Sequence, residues 1–127
     1  MTYYSKIGWG QAKKSIYNGQ MFDSKFEAKQ AWELDMLKKN GEIINWEAHK
    51  RLPLVVNGYK VCDYEIDFII YREGETEYLE TKGYATDVWK LKWKLFEALY
   101  TKEGNKLTVI FQGKQKPPKL RKFKVKI

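Results

Sequence analysis

The sequence predicts a single α/β domain whose elements follow in the order helix, three antiparallel strands, helix and strand. Two segments have the three-to-four-residue apolar spacing of helices, and the runs between and after them are rich in β-branched and aromatic residues. A chain of 127 residues has room for one core, and its 43% apolar content is too high for a disordered protein. We divide it into an N-terminal arm (1–22), a core (23–112) and a basic C-terminal strand (113–127).

The first helix is expected at residues 23–40, after an arm that mixes aromatic residues, lysines and three glycines without clear periodicity. Asp23 or Ser24 can cap the start of this helix, and Gly41 follows its end. Its apolar residues fall within one sector, as expected of a helix with one buried side. They are Phe26, Ala31, Leu34 and Leu37.

Three antiparallel strands are expected next. A strand at residues 52–56 ends at Asn57-Gly58, a dipeptide that readily supplies the two positive-φ residues of a tight hairpin. The second strand starts at Tyr59 and includes the apolar run 64–71. A turn around Gly74 then leads into a third strand at residues 77–83.

A second helix, capped by Thr86 or Asp87, is expected to end near Gly104. Its buried side is predicted to consist of Val88, Leu91, Leu95, Ala98 and Leu99. The strand at 106–112 has an apolar run that suits a buried position. Residues 119–127 alternate lysines with apolar residues, which predicts an edge strand whose cationic face either blocks aggregation or contacts a polyanion.

The charge balance favours a polyanionic partner without requiring one. The chain has 24 Lys and Arg against 16 Asp and Glu, a formal charge of +8. Cys62 is the single cysteine and His49 the single histidine, so an internal disulfide and a His/Cys zinc cluster are excluded, and any metal is expected to have oxygen ligands. No signal peptide or 18-residue apolar run is present, which predicts a soluble, cytoplasmic protein with no membrane contact.

Strand parity brings three charged residues together. Glu80 and Lys82 are two apart and therefore point to one face of their strand, and Asp67 shares a face with Ile69 and Tyr71 on the preceding strand. A two-residue turn at 73–74 opposes Asp67 to Glu80, and a turn at 74–75 opposes it to Lys82. Asp67, Glu80 and Lys82 thus share a face in either register unless a bulge intervenes.

Two adjacent carboxylates repel each other, and a hard cation such as Mg²⁺ between them relieves the repulsion. Beside such an ion, Lys82 can stabilise negative charge on a phosphate, which is the chemistry of phosphodiester hydrolysis. The same spacing also fits a surface ion-pair ladder. Glu27 is angularly placed to face inward from the first helix, and it also fits a capping box in which its carboxylate bonds back to Ser24.

The order of a helix with Glu27, a strand with Asp67, a strand with Glu80 and Lys82, a helix and a strand resembles the PD-(D/E)xK nuclease superfamily. The chain also carries the motifs FDSKFEA at 22–28, IDF at 66–68, ETKG at 80–83, Thr86 and LKWKLF at 91–96. More narrowly, they resemble a family of small, mostly phage-encoded proteins related to Holliday-junction resolvases. This resemblance implies a restriction-endonuclease-like core and a Mg²⁺-dependent, structure-selective DNA endonuclease, with Mn²⁺ able to substitute. Asp67, Glu80 and the carbonyl of Thr81 would bind the metal, Glu27 would complete the acidic cluster, and Lys82 would be the catalytic lysine.

The sequence departs from this family at His49, where a glutamine is expected; His49 can assist proton transfer or be a structural residue. The expected partner is branched DNA, contacted through Lys13 and Lys14 in the arm and through Lys90, Lys92 and Lys94 in the second helix. Each of these lysines can equally be a solvated surface residue. Because two symmetry-related cuts resolve a junction, a homodimer is expected, in the host cytoplasm if the protein is phage-encoded. The alternative function is a catalytically inactive DNA-binding module with the same fold.

Overall fold

A mixed four-stranded sheet with a helix on each face forms the part of the chain, residues 15–111, that the computed structural model describes, and this confirms the α/β class. The elements are β1 (Ser15–Tyr17), β2 (Gln20–Phe22), α1 (Lys25–Lys39), β3 (Asn45–Val56), β4 (Tyr59–Arg72), β5 (Glu75–Lys82), α2 (Asp87–Tyr100) and β6 (Asn105–Phe111). Neither helix has the length and apolar character needed to span a membrane. Lys13, Lys14 and the predicted strand at 119–127 lie outside the described residues.

The strands of the sheet lie in the order β3-β4-β5-β6. β3, β4 and β5 are antiparallel, as predicted, while β6 is parallel to β5 because the chain crosses over through α2 between them. Of the two registers that the sequence left open for the β4–β5 turn, the pairing of Arg72 with Glu75 selects the turn at 73–74. β6 is an edge strand among the described elements, and its predicted buried position is only partly confirmed: its apolar side chains pack against both core clusters but are half-buried.

The local signals for turns and caps predict most element ends. Ser24 is the N-cap of α1, and its hydroxyl accepts the Glu27 N–H at 3.1 Å. Asn57 and Gly58 have φ values of 52° and 81° and form the β3–β4 turn. β3 nevertheless begins at Asn45, seven residues before the predicted start, because pairing with β4 extends through a polar segment without strand-like alternation.

The end of the N-terminal arm is regular, in contrast to the predicted irregular segment. β1 and β2 form a hairpin with Asn18 and Gly19 at its turn, at φ values of 51° and 80°. This is a second Asn-Gly turn, the same signal that located the hairpin at 57–58. Phe22, at the end of β2, is fully buried against α1 and Phe68.

The two faces of the sheet carry separate apolar clusters. The α1-side cluster contains, among others, Phe22, Ala31, Leu34, Phe68, Ile70 and Leu79. The α2-side cluster contains, among others, Leu54, Tyr64, Ile66, Ile69, Trp93 and Phe96. Because Ile69 lies between Phe68 and Ile70 in sequence, the clusters lie on opposite faces of β4.

The predicted buried side of α2 is wrong except at Leu95, which packs against the α2-side core. Val88 and Leu91 are 69% and 71% exposed, and Leu99 is 40% exposed, whereas Trp89, Trp93 and Phe96 are buried. The helix carries two apolar stripes about one residue out of phase. The aromatic stripe has more surface to remove from water, and it is the one that packs on the sheet.

The alternation of side chains reverses in both β3 and β4. Trp46 and Ala48 pack on the α1 side, whereas Leu52 and Leu54 belong to the α2 side. In β4, Ile66 and Ile69 pack on the same side although they are three residues apart. The reversal therefore falls at His49 and Asp67. His49 and Asp67 lie opposite each other between the pairs Ala48–Phe68 and Lys50–Ile66, but they are not themselves a β-sheet pair. The backbone of His49 is in the left-handed region, with a φ of 57°.

Candidate functional site

The candidate site begins where β4 and β5 stop pairing. Their ladder ends at Phe68 and Leu79, and beyond it side chains bond to the backbone of the opposite strand. The Asp67 N–H donates to Oε1 of Glu80 at 3.3 Å, and the Thr81 N–H donates to Oδ2 of Asp67 at 2.8 Å. The Thr81 hydroxyl donates to the same oxygen at 2.9 Å. Two carboxylates therefore fill the opening between the strands and are held by its backbone.

Asp67 does not share a face with Ile69 and Tyr71, so the parity argument was wrong at this step. The reversal at His49 and Asp67 turns the Asp67 carboxylate toward α1, where it lies near Glu27 and His49. Glu80 still contacts Asp67, because Asp67 lies at the boundary between the two faces. Asp67 and Glu80, which were predicted to be neighbours, are in contact across the opening between β4 and β5, but their side chains do not lie on one face of the sheet.

Glu80 and Lys82 form a buried pair on the α2 side. They are 3% and 8% exposed, and Lys82 Nζ lies 3.5 Å from Glu80 Oε2. The same Nζ lies 5.0 Å from the ring centroid of Trp89. Trp89 donates its indole N–H to the Tyr64 hydroxyl at 2.9 Å, and that hydroxyl bonds to Glu80. Such a buried arrangement differs from an exposed ion-pair ladder.

Glu27 points into the protein from the first turn of α1 and is 4% exposed. Its backbone N–H takes part in the cap with Ser24, but its Oε1 lies 2.5 Å from Nε2 of His49. Glu27, His49 and Asp67 each offer one ligand atom, and these three atoms lie within 4.8 Å of one another. Of the two alternatives for Glu27, the inward-facing orientation is the one observed.

The pKa values of two carboxyl groups in the site, those of Asp67 and Glu80, are raised, because burial and mutual repulsion outweigh the attraction of Lys82. Burial, together with the charge of Glu27, raises the pKa of Asp67 to about 7. Burial and the charge of Asp67 raise the pKa of Glu80 well above its usual range, against the opposing effect of Lys82. The hydrogen bond with Glu27 raises the pKa of His49. A divalent cation would relieve this repulsion, and the oxygen donors present fit one.

Sequence reasoning did not place His49 in the site, although it considered a role in proton transfer. His49 is the single histidine of the chain, which could have marked it as a candidate site residue. Its orientation, however, depends on a positive φ that no local sequence pattern predicts. Thr81 orients Asp67 through its N–H and hydroxyl, and metal binding by its carbonyl stays a prediction.

The three lysines predicted to contact DNA from α2 do not form one patch. Residues four apart share a side of a helix, so Lys90 and Lys94 lie on one flank of α2 and Lys92 lies on the other. Lys90 and Lys92 are half-buried and Lys94 is exposed. The neighbouring Trp89 and Trp93 are core residues and are not available for stacking on bases.

Comparison with models of protein families gives a match. Residues 8–116 match a family model described as "Protein of unknown function (DUF1064)". No curated protein and no solved structure matches the chain. The matched residues include both helices and all six described strands, together with every residue of the candidate site. The chain therefore belongs to the DUF1064 family.

Proposed function

We propose that this chain is a metal-dependent DNA endonuclease of the PD-(D/E)xK type that cuts branched DNA. The observation that carries the proposal is the meeting of Glu27, Asp67, Glu80 and Lys82 where β4 and β5 separate. These residues come from a helix and two strands; burying charged groups costs free energy, and clusters of such groups are typical of functional sites. Four charged side chains are buried among the described residues, and three of them, Glu27, Glu80 and Lys82, belong to this site. The fourth, Glu77, lies elsewhere and is paired with Arg72.

We further propose that the fold is a restriction-endonuclease-like core. Support comes from three antiparallel strands followed by a helix and a parallel strand, with α1 on one face of the sheet and α2 on the other. The acidic residues lie at the opening between the second and third of these strands, β4 and β5.

The roles of the side chains follow from their contacts. Asp67 and Glu27, whose carboxylate oxygens meet in the site, would hold a divalent cation, and Glu80, which contacts the Asp67 backbone and Lys82, would be a further ligand. The cation would stabilise the charged phosphate and supply a nucleophilic water at neutral pH. Thr81 fixes the Asp67 carboxylate through two hydrogen bonds. Lys82, held beside Glu80 and Trp89, donates to the phosphoryl oxygens as negative charge builds up on them.

Cleavage assays on labelled DNA test this proposal. The purified protein is incubated with a four-way junction, a flap and a linear duplex, in Mg²⁺, Mn²⁺ or chelator. We expect metal-dependent cleavage of the branched substrates. Asp67→Asn is expected to slow it about a thousandfold, equivalent to about 4 kcal/mol of transition-state stabilisation. Lys82→Met is expected to slow it by about 100-fold or more.

Asp63→Asn is the matched control, because Asp63 is an aspartate of the same strand whose described ion pairs are with Lys60 and Arg51. It should keep the wild-type cleavage rate. Protein that binds junctions and cuts none of them in either metal would be the inactive DNA-binding module. Protein that neither binds nor cuts DNA would overturn the proposal altogether.

A further inference from the structure

His49 occupies a backbone conformation that places its ring in the acidic cluster. Its φ of 57° lies in the left-handed region, which costs a non-glycine residue about 1 kcal/mol or more, and it coincides with the reversal of β3. Because of this reversal, the imidazole lies on the α1 side, in a T-shaped contact with the Phe22 ring at a centroid distance of 5.5 Å and with Nε2 toward Glu27. Strain of this kind is typical of functional sites.

The three atoms that meet there form a mixed ligand set. Nε2 of His49 and one carboxylate oxygen each from Glu27 and Asp67 lie within 4.8 Å of one another. Ligand atoms at about 2.1 Å from one ion lie about 3 to 4.2 Å from each other. Nε2 of His49 and Oε1 of Glu27, hydrogen-bonded at 2.5 Å, would therefore move apart by about half an ångström as the ion replaces the proton between them, while the most distant pair of the three atoms would close by a similar amount. The residues come from α1 and from β3 and β4, two neighbouring strands of the sheet.

We infer that His49 binds the same metal ion as Glu27 and Asp67 through Nε2, and that its imidazole makes the site prefer first-row transition dications such as Mn²⁺ over Mg²⁺. Imidazole nitrogen is a poor ligand for Mg²⁺, which prefers oxygen, and a better one for transition metals. This inference rests on the metal site of the proposed function. It revises the expectation from the sequence that all ligands are oxygen.

The chain offers an unambiguous spectroscopic test because His49 is its only histidine. The protein, expressed without a polyhistidine tag, is titrated with Mn²⁺ and examined by pulsed electron paramagnetic resonance for ¹⁴N coupling of a coordinated imidazole. We expect this coupling in the wild type and its complete loss in His49→Asn. Asparagine tolerates positive φ better than most residues, so this variant retains the backbone conformation, and circular dichroism checks its fold.

Metal affinities provide a second readout. We expect His49→Asn to weaken Mn²⁺ binding about tenfold and to change Mg²⁺ binding, measured by competition, by less than about threefold. Asp63→Asn, on β4 but outside the cluster, should keep both the coupling and the affinities. Bound Mn²⁺ without imidazole coupling, or an unchanged metal preference in His49→Asn, would overturn the inference.

The results also separate this inference from the nuclease proposal. Cleavage of branched DNA by a protein that shows no imidazole coupling overturns the role of His49 and leaves the nuclease in place. Imidazole coupling in a protein that cuts no DNA supports the role of His49 and refutes the nuclease. Absence of any Mn²⁺ binding at millimolar concentration overturns both.

Discussion

Neutralising Asp67 should stabilise the metal-free protein, and the size of the effect can be worked from the site. The pKa of Asp67 is raised from 3.8 to about 7, so between these pH values the folded protein holds a proton that the unfolded chain has released. The resulting stability is fully present below pH 3.8 and is lost as the pH rises through 7. About three pKa units correspond to about 4 kcal/mol.

Asp67→Asn abolishes this loss of stability at higher pH, because asparagine does not ionise. Its amide oxygen can still accept the two hydrogen bonds from Thr81. The Asp67 side chain is half-buried and partly screened by solvent, so we expect about half of the full value. At pH 8 the variant should therefore unfold with a free energy about 2 kcal/mol higher than the wild type. At pH 4 the two proteins should be nearly equal.

Urea denaturation in the presence of a chelator, at pH 4, 6 and 8, measures this difference. Asp63→Asn is again the control and should change stability by less than about 1 kcal/mol, since it removes only partly exposed ion pairs. The reasoning is refuted if Asp67→Asn is less stable than the wild type at pH 8, or if their difference is independent of pH. Adding Mn²⁺ should stabilise the wild type and leave the variant nearly unchanged, since a ligand that binds only the folded state stabilises it.

Three further predictions concern the fold around the site. Trp93→Ala should cost about 3 to 5 kcal/mol in the free energy of unfolding, whereas Leu91→Ala should change it by less than about 0.5 kcal/mol; equal effects in urea denaturation would contradict the observed orientation of α2. Ser24→Ala should cost about 1 kcal/mol by thermal or urea unfolding, because it removes the N-cap of α1, and no loss would mean that the cap is dispensable. Tyr64→Phe removes the hydroxyl between the α2 indole and Glu80 and should destabilise the protein by about 1 to 3 kcal/mol; a neutral result would show that this hydrogen-bond chain contributes little.

The exposed stripe of α2 explains why its orientation could not be predicted from sequence. Val88, Leu91 and Leu99 form an apolar stripe of normal helical spacing, and so do the buried aromatic residues. Periodicity identifies both stripes equally well. Only the surface of the sheet, which is built from distant strands, decides which of them is covered.

What the sequence determined by itself is local. Both helices, an N-cap at Asp23 or Ser24, the turn at 57–58, a turn around Gly74, and the shared strand face of Glu80 and Lys82 depend on residues within a few positions of each other, where capping, turn preference and alternation act directly. The tertiary structure alone decided the rest. The reversal at His49 and Asp67 follows from two strands that must cover different helices along their length, and it places the imidazole and the Glu27 carboxylate together. Such long-range packing has no local sequence signal.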